Sequence, residues 1–140
     1  MSIRDESGSA LVEFIGLGTL LLIPAVWFLL AVAQVQAASY AAVGAADQAT
    51  KMYVAAGVPE PERAARSEAA VAAALDDFGL STEQSQLHRD CSPNCTSEGA
   101  VISHTVEIHV PVPLLPHPPG FEHRLVTVTA TASDIRTDSP

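Results

Sequence analysis

Residues 11–33 are apolar almost throughout, broken only by Glu13 and Thr19, and no further charge follows until Asp47. A run of about 20 apolar residues is what a helix needs to cross hydrocarbon. Past Ala33 the side chains become small and weakly polar (Gln34, Gln36, Ser39, Tyr40, Gly44, Asp47, Gln48) but stay rich in alanine. One helix is therefore expected to continue to about Ala56, with Gly57-Val58-Pro59 as its stop. From Ser9 to Ala56 it would be about 70 Å long at about 1.5 Å per residue, and a bilayer core of about 30 Å takes up less than half of that. The remainder must project from the membrane or lie against a partner. Gly16 and Gly18 would allow another helix to come close, though at a spacing of two they share no face. Pro24 removes a backbone hydrogen bond and is expected to bend or loosen the helix near Leu20 and Leu21.

A second helix is expected over residues 61–78. Glu60 and Glu62 suit its start, Gly79 suits its end, and Ala65, Ala69, Ala72 and Leu75, with Val71 and Phe78, recur at helical spacing. Asp76-Asp77 reads as a solvated helix end. Residues 79–99 read as a polar loop. Two alternating stretches follow. In the first, Ile102, His104, Val106, Ile108, Val110 and Val112 share one face, and Ser103, Thr105, Glu107 and His109 the other. In the second, Val126, Val128, Ala130 and Ala132 alternate with Leu125, Thr127, Thr129 and Thr131. Period-two alternation of β-branched residues predicts strands. The proline-rich residues 111–123 cannot donate to a ladder and predict a stiff tip between them. Leu114, Leu115 and Phe121 on that tip either fold back on the core or meet another subunit. The fold class is α+β: a long N-terminal transmembrane helix, a second short helix and a C-terminal antiparallel β-hairpin.

Composition narrows the function. A chain of 140 residues holds one small domain at most. Its soluble part is near the lower limit for a self-sufficient core. Net charge is −9 with seven Lys and Arg, so the chain is expected to be a poor nucleic-acid binder. Cys91 and Cys95 frame Ser-Pro-Asn, a turn-forming triplet. Downstream of a membrane span the pair reads as a disulfide in an oxidising compartment. A zinc site from His88, Cys91, Cys95 and His104 is the alternative, at a spacing unlike the usual fingers; a free dithiol is a third. No phosphate-binding glycine loop is present. Ser103 and His104 adjoin in a strand and point to opposite faces. His88, His104, His109, His117 and His123 are scattered and read as surface or edge residues. No enzyme chemistry, cofactor or metal is expected.

One further pattern lies at the N-terminus: Gly8, then Ser9-Ala10-Leu11-Val12, then Glu13-Phe14 and the apolar helix. A carboxylate in a membrane helix costs about 2.5–3.5 kcal/mol at the bilayer centre and less near the interface, so it calls for a cationic partner. A cut after Gly8 would create one, the α-amino group of Ser9. These residues resemble the processing site of type IV pilin-like proteins. They are most similar to the TadE-like minor pilins (pseudopilins) of the bacterial tight-adherence, or Flp, pilus system, over roughly residues 4–45. The leader is only weakly basic, with Arg4 offset by Asp5 and Glu6, and Ser9 stands where the major pilins carry an aromatic.

The resemblance implies a leader at 1–8, a long helix at 9–57 with a transmembrane segment at about 14–35, and a small extracytoplasmic α+β region at 58–140. It implies cleavage by a prepilin peptidase after Gly8, with Gly8 and Ser9 as processing residues, and assembly through Glu13 and Phe14. The implied partners are other pilin and minor pilin subunits, the peptidase, the inner-membrane pilus assembly platform and the lipid bilayer. The implied location is the cell membrane, single-pass, with the N-terminus cytoplasmic, or a pilus. Two other readings stay open: an uncleaved single-pass anchored binding protein, and a secreted domain released after Ala33, since Ala31-Val32-Ala33 forms a small-x-small site. Lys51, Arg63 and Arg66 after the helix outnumber Arg4 before it and favour the reverse orientation if counted alone.

Overall fold

The computed structural model describes residues 6–111, 113 and 124–137, with side chains for 8–111, 113 and 126–137. Helix α1 runs unbroken over Glu6–Val54, 49 residues. Helix α2 is Glu60–Asp76. Strands β1 (Ser85–Ser92), β2 (Val101–Pro111) and β3 (Arg124–Ile135) form one antiparallel sheet in the order β1-β2-β3. The architecture is α+β, with the long apolar helix first and the sheet last.

The chain divides into two compact units, Met1–Ala33 and Gln34–Pro140. In the first, the described part of α1 is long and apolar enough to cross a membrane. Its large side chains, Leu11, Phe14, Leu20, Leu21 and Phe28 among them, are exposed. The helix passes through Pro24 without a break. Thr19 returns its hydroxyl to the Ile15 carbonyl at 2.8 Å, so its polar group is satisfied inside the helix.

In the second unit one face of α1 is made of alanine. Ala38, Ala41, Ala42, Ala45, Ala46 and Ala49 are buried, and they pack with Val71 and Leu75 of α2 and with Val106, Ile108 and Val110 of β2. Spacings of three and four place these alanines on one stripe. Methyl side chains let the helix backbone approach the sheet closely. From Ile102 to Val110 the first predicted strand has the expected parity: Ile102, His104, Val106, Ile108 and Val110 are buried, and their neighbours are not, while Val112 lies outside the described residues. On the outer face, hydroxyls pair across strands: Ser103 with Ser133 at 2.8 Å, Thr105 with Thr131 at 2.8 Å.

Two expectations need correction here. Residues 79–99 are not only a loop, because Ser85–Ser92 pairs with β2 as the edge strand β1. The sheet therefore has a third strand beyond the hairpin. β1 escapes a pattern search because an edge strand buries little: Leu87 and Cys91 reach the core side, while Gln86, His88 and Asp90 are exposed. The buried stripe of α2 is Arg63, Ser67, Val71 and Leu75; Ala65, Ala69 and Phe78 are not part of it, and Phe78 lies exposed beyond the helix end. In an alanine-rich helix the small apolar residues do not report which face is buried. The apolar tip residues Leu114, Leu115 and Phe121 lie outside the described residues.

Helix ends follow the sequence. Gly57, at φ 74°, takes the left-handed turn that ends α1 and that a side chain would strain. Pro59 precedes α2, with Glu60 and Glu62 in the first turn. At the other end Leu80 N–H donates to the Leu75 carbonyl at 3.0 Å across Gly79. The packing predicts that Leu75→Ala costs about 2–5 kcal/mol through the cavity it leaves. Ala45→Leu should cost about 1–3 kcal/mol by overpacking the helix–sheet seam. Denaturant unfolding of the full chain in detergent micelles, followed by the sheet signal, measures both.

Candidate functional site

Two places come into question: the N-terminal segment of α1, which holds the residues singled out in the sequence, and a polar centre beneath the sheet.

Gly8, Ser9, Glu13 and Phe14 all lie on α1 and are exposed. Ser9 and Glu13 are four residues apart, hence neighbours on one helical face. Gly8 has nothing within 4 Å of a Cβ placed on it and no left-handed φ. Among the described residues nothing therefore requires a glycine there. Asp76 and Asp77 are exposed at the end of α2, as expected.

Cys91 and Cys95 are joined in a disulfide. Both are partly buried against Tyr53, Ala100 and Ile102. The loop they close is tied by Asn94, whose side-chain oxygen accepts from the Thr96 and Ser97 N–H groups at 3.0 and 2.7 Å. Arg136 donates to the Cys95 carbonyl at 2.8 Å, pinning this loop to the end of β3. The bond removes both thiols from the zinc alternative, and among the described residues no group of three His, Cys, Asp or Glu is placed to hold a metal ion.

His104 is a further correction to the sequence reading: it is wholly buried, not a surface or edge residue. His88 is exposed and His109 half-buried; His117 and His123 lie outside the described residues. Thr50 Oγ1 of α1 lies 3.2 Å from His104 Nδ1, and Ser67 Oγ of α2 lies 3.2 Å from Nε2. The Tyr53 ring meets the imidazole edge-on at 5.4 Å between centroids. The count of donors and acceptors assigns the tautomer. Thr50 gives its single hydroxyl proton to the Ala46 carbonyl at 2.8 Å. It must therefore accept from Nδ1–H, which leaves Nε2 to accept from the Ser67 hydroxyl. The relay runs Ser67 O–H to His104 to Thr50 to Ala46, and it needs a neutral ring. Burial pushes the His104 pKa down to about 4, and the Arg89 guanidinium adds to the effect.

Around this relay, Arg89 of β1 rests on the Tyr53 ring, 4.5 Å from its centroid. Tyr53 donates its hydroxyl to Glu60, and burial first, then that bond, push the phenol pKa up. Arg63 is buried and donates to the Val58 and Tyr53 carbonyls, the latter at 3.1 Å. It thereby satisfies one carbonyl in the last turn of α1, that of Tyr53, and one in the connection to α2, that of Val58. A cavity of about 220 Å³ lies over the relay, lined by Ser67, Glu68, Leu87, Arg89 and His104 among others. Ser67 sits within α2, where backbone N–H groups are taken up in helical bonds. Its contact with His104, together with that of Thr50, joins α1, α2 and β2.

The sequence reading gave Tyr53, Arg63 and Ser67 no place in a site. One signal did exist for His104, since strand parity already set it among Ile102, Val106 and Ile108. For Arg63 and Ser67 the signal was their i, i+4 spacing to Val71 and Leu75.

Comparisons with protein-family models, with curated proteins and with solved structures give no match for this chain.

The folded state holds His104 near pH 4 against the ordinary 6.5, so its stabilising contribution is complete above pH 6.5 and is lost as pH falls towards 4. Denaturation at stepped pH should show stability dropping over that window by up to about 1.4 kcal/mol per pH unit. His104→Gln should be less stable at pH 7 and flatter across the window. Ser67→Ala should cost about 1–3 kcal/mol by leaving a buried acceptor unpaired.

Proposed function

We propose that this chain is a structural subunit of a membrane-anchored pilin-like apparatus, a minor pilin of the Tad type. The observation that carries this reading is α1: one unbroken helix whose apolar N-terminal part is exposed and whose alanine-rich part builds the core of a small domain. A filament subunit needs such a helix, one end for lipid or neighbouring helices and the other for its own domain.

In this mechanism the leader stays cytoplasmic and the domain with the disulfide lies outside. Prepilin peptidase cuts after Gly8, whose open surroundings leave room for an enzyme to act on the segment. The new Ser9 amine then stands about one helical turn from Glu13. The amine pairs with that carboxylate in its own chain or in a neighbour. In an apolar bundle a wrong register would leave a charge without a partner, so the pair selects one register. Residues 11–33 supply apolar packing. The partners are other pilin subunits, the peptidase and the inner-membrane assembly platform.

A second reading has an observation of its own. The compact unit begins at Gln34, the residue after Ala31-Val32-Ala33. A domain released there would keep its alanine face and lose Glu13.

Glu13→Ala separates the two in cells that make the apparatus. Under the pilin reading the variant should reach the membrane, fail to co-purify with other pilin subunits, and lower pilus output at least tenfold. Unchanged co-purification and output would contradict it. Glu13→Asp, which keeps the charge, should retain part of the output.

A further inference from the structure

Strand β3 ends the sheet with an open edge. It is 12 residues long, and among the described residues β2 is its one strand neighbour. The ladder fixes which backbone groups face the open side. Arg136 N–H donates to the Ala100 carbonyl at 2.9 Å, one step beyond the Val101–Ile135 pair. Bonds of an antiparallel pair fall on alternate residues, so Val126, Val128, Ala130, Ala132 and Asp134 bond to β2. Thr127, Thr129, Thr131 and Ser133 turn their N–H and C=O groups outward. Side chains agree: Thr131 and Ser133 reach Thr105 and Ser103 at 2.8 Å, the close approach of the non-bonded pairs.

The two edges of the sheet are built differently. β1 has 8 residues, carries Arg89 and Asp90 within it and runs into Pro93. Charge and proline of this kind keep an edge from pairing. β3 has no proline, glycine or lysine, and its charged residues, Arg124 and Asp134, stand near its two ends. Thr127, Thr129 and Thr131 are exposed between them. A long edge without such guards is a template for another strand.

Charge names that strand. Laid antiparallel against a second β3, about a two-fold axis at Thr129, the edge sets Arg124 of each copy opposite Asp134 of the other. Thr129 then meets its own counterpart and Thr127 meets Thr131. All of these have outward backbone groups, so each donor of the new ladder finds an acceptor. On the core side Val126, 38% exposed in the single chain, comes to lie opposite Ala132. A slip of two residues is the smallest that keeps the bonding parity. In one direction it sets Arg124 against Arg136, and in the other against Ala132.

We infer that the open edge of β3 is an interface for a second copy of this chain, which joins two sheets in the register that sets Arg124 against Asp134. The contact is isologous and closes as a dimer. It lies wholly within the second unit and is independent of the reading given to the apolar segment.

Cysteine cross-linking of the full chain in membranes of its own cells reads the register. Cα atoms of a bonded antiparallel pair stand about 5.5 Å apart, within reach of a disulfide. Thr129→Cys should cross-link to itself under mild oxidation. Thr127→Cys and Thr131→Cys should each fail alone and cross-link when expressed together. Asp134→Arg should lower the cross-linked fraction of Thr129→Cys about tenfold, since two like-charge pairs replace two opposite ones. Adding Arg124→Asp should restore it, which shows that the single variant still folds. Equal self-cross-linking at 127, 129 and 131 marks random collision and overturns the inference. Capture of a different protein by Thr129→Cys, without the homodimer, overturns self-pairing. No cross-link at any position overturns the interface.

Discussion

Helix α1 must be continuous and yet satisfy two different surroundings, and the rest of the molecule follows from that constraint. The large side chains of its apolar part, Leu11, Phe14 and Leu20 among them, are exposed. Its alanine part contributes little apolar area per residue, so stability there depends on close approach. Six alanines on one stripe bring the helix backbone against Val106, Ile108 and Val110 of β2. A seam of this kind tolerates neither a larger residue nor a gap. The small-residue bias past Ala33 is therefore a packing requirement of the sheet, and it also keeps that half of the helix from reading as a second lipid-facing span.

A seam of methyl groups can slide, and polar contacts fix its position. His104 lies where α1, α2 and β2 meet, and its two nitrogens hold one hydroxyl from each helix. Arg63 ties α2 to the end of α1 through backbone carbonyls. Arg89 brings β1 onto Tyr53, and the disulfide two residues later closes that end of the sheet. A small domain with little apolar area thus sets its register with directional bonds, in which a misplaced donor or acceptor is costly.

Much of this was legible in the sequence, and the failures have a common cause. The long helix, Gly57 and Gly79 as stops, the parity of β2 and the bonded cysteines all rest on strong local signals. β1 was missed because an edge strand with two inward residues carries no alternation long enough to detect. The buried face of α2 was misread because Ala65 and Ala69 look as apolar as Val71, while the positions that matter, Arg63 and Ser67, look polar. His104 was given the right face and the wrong environment, since the rule that histidine prefers surfaces outweighed the strand it stood in. Buried polar residues are fixed by tertiary partners, and Thr50 and Ser67 are far from His104 in sequence. Gly8 and Glu13 are the opposite case. They are plain in the sequence, and the folded chain gives neither a structural task.

The central claim is that the apolar half of α1 stays in the working protein with Glu13 at its head. The most direct test is the first residue of the protein extracted from membranes of its own cells, read by intact mass and terminal sequencing. Ser9 is the predicted first residue. A start at Gln34 would show that the apolar half is discarded, Glu13 with it, and would contradict the claim.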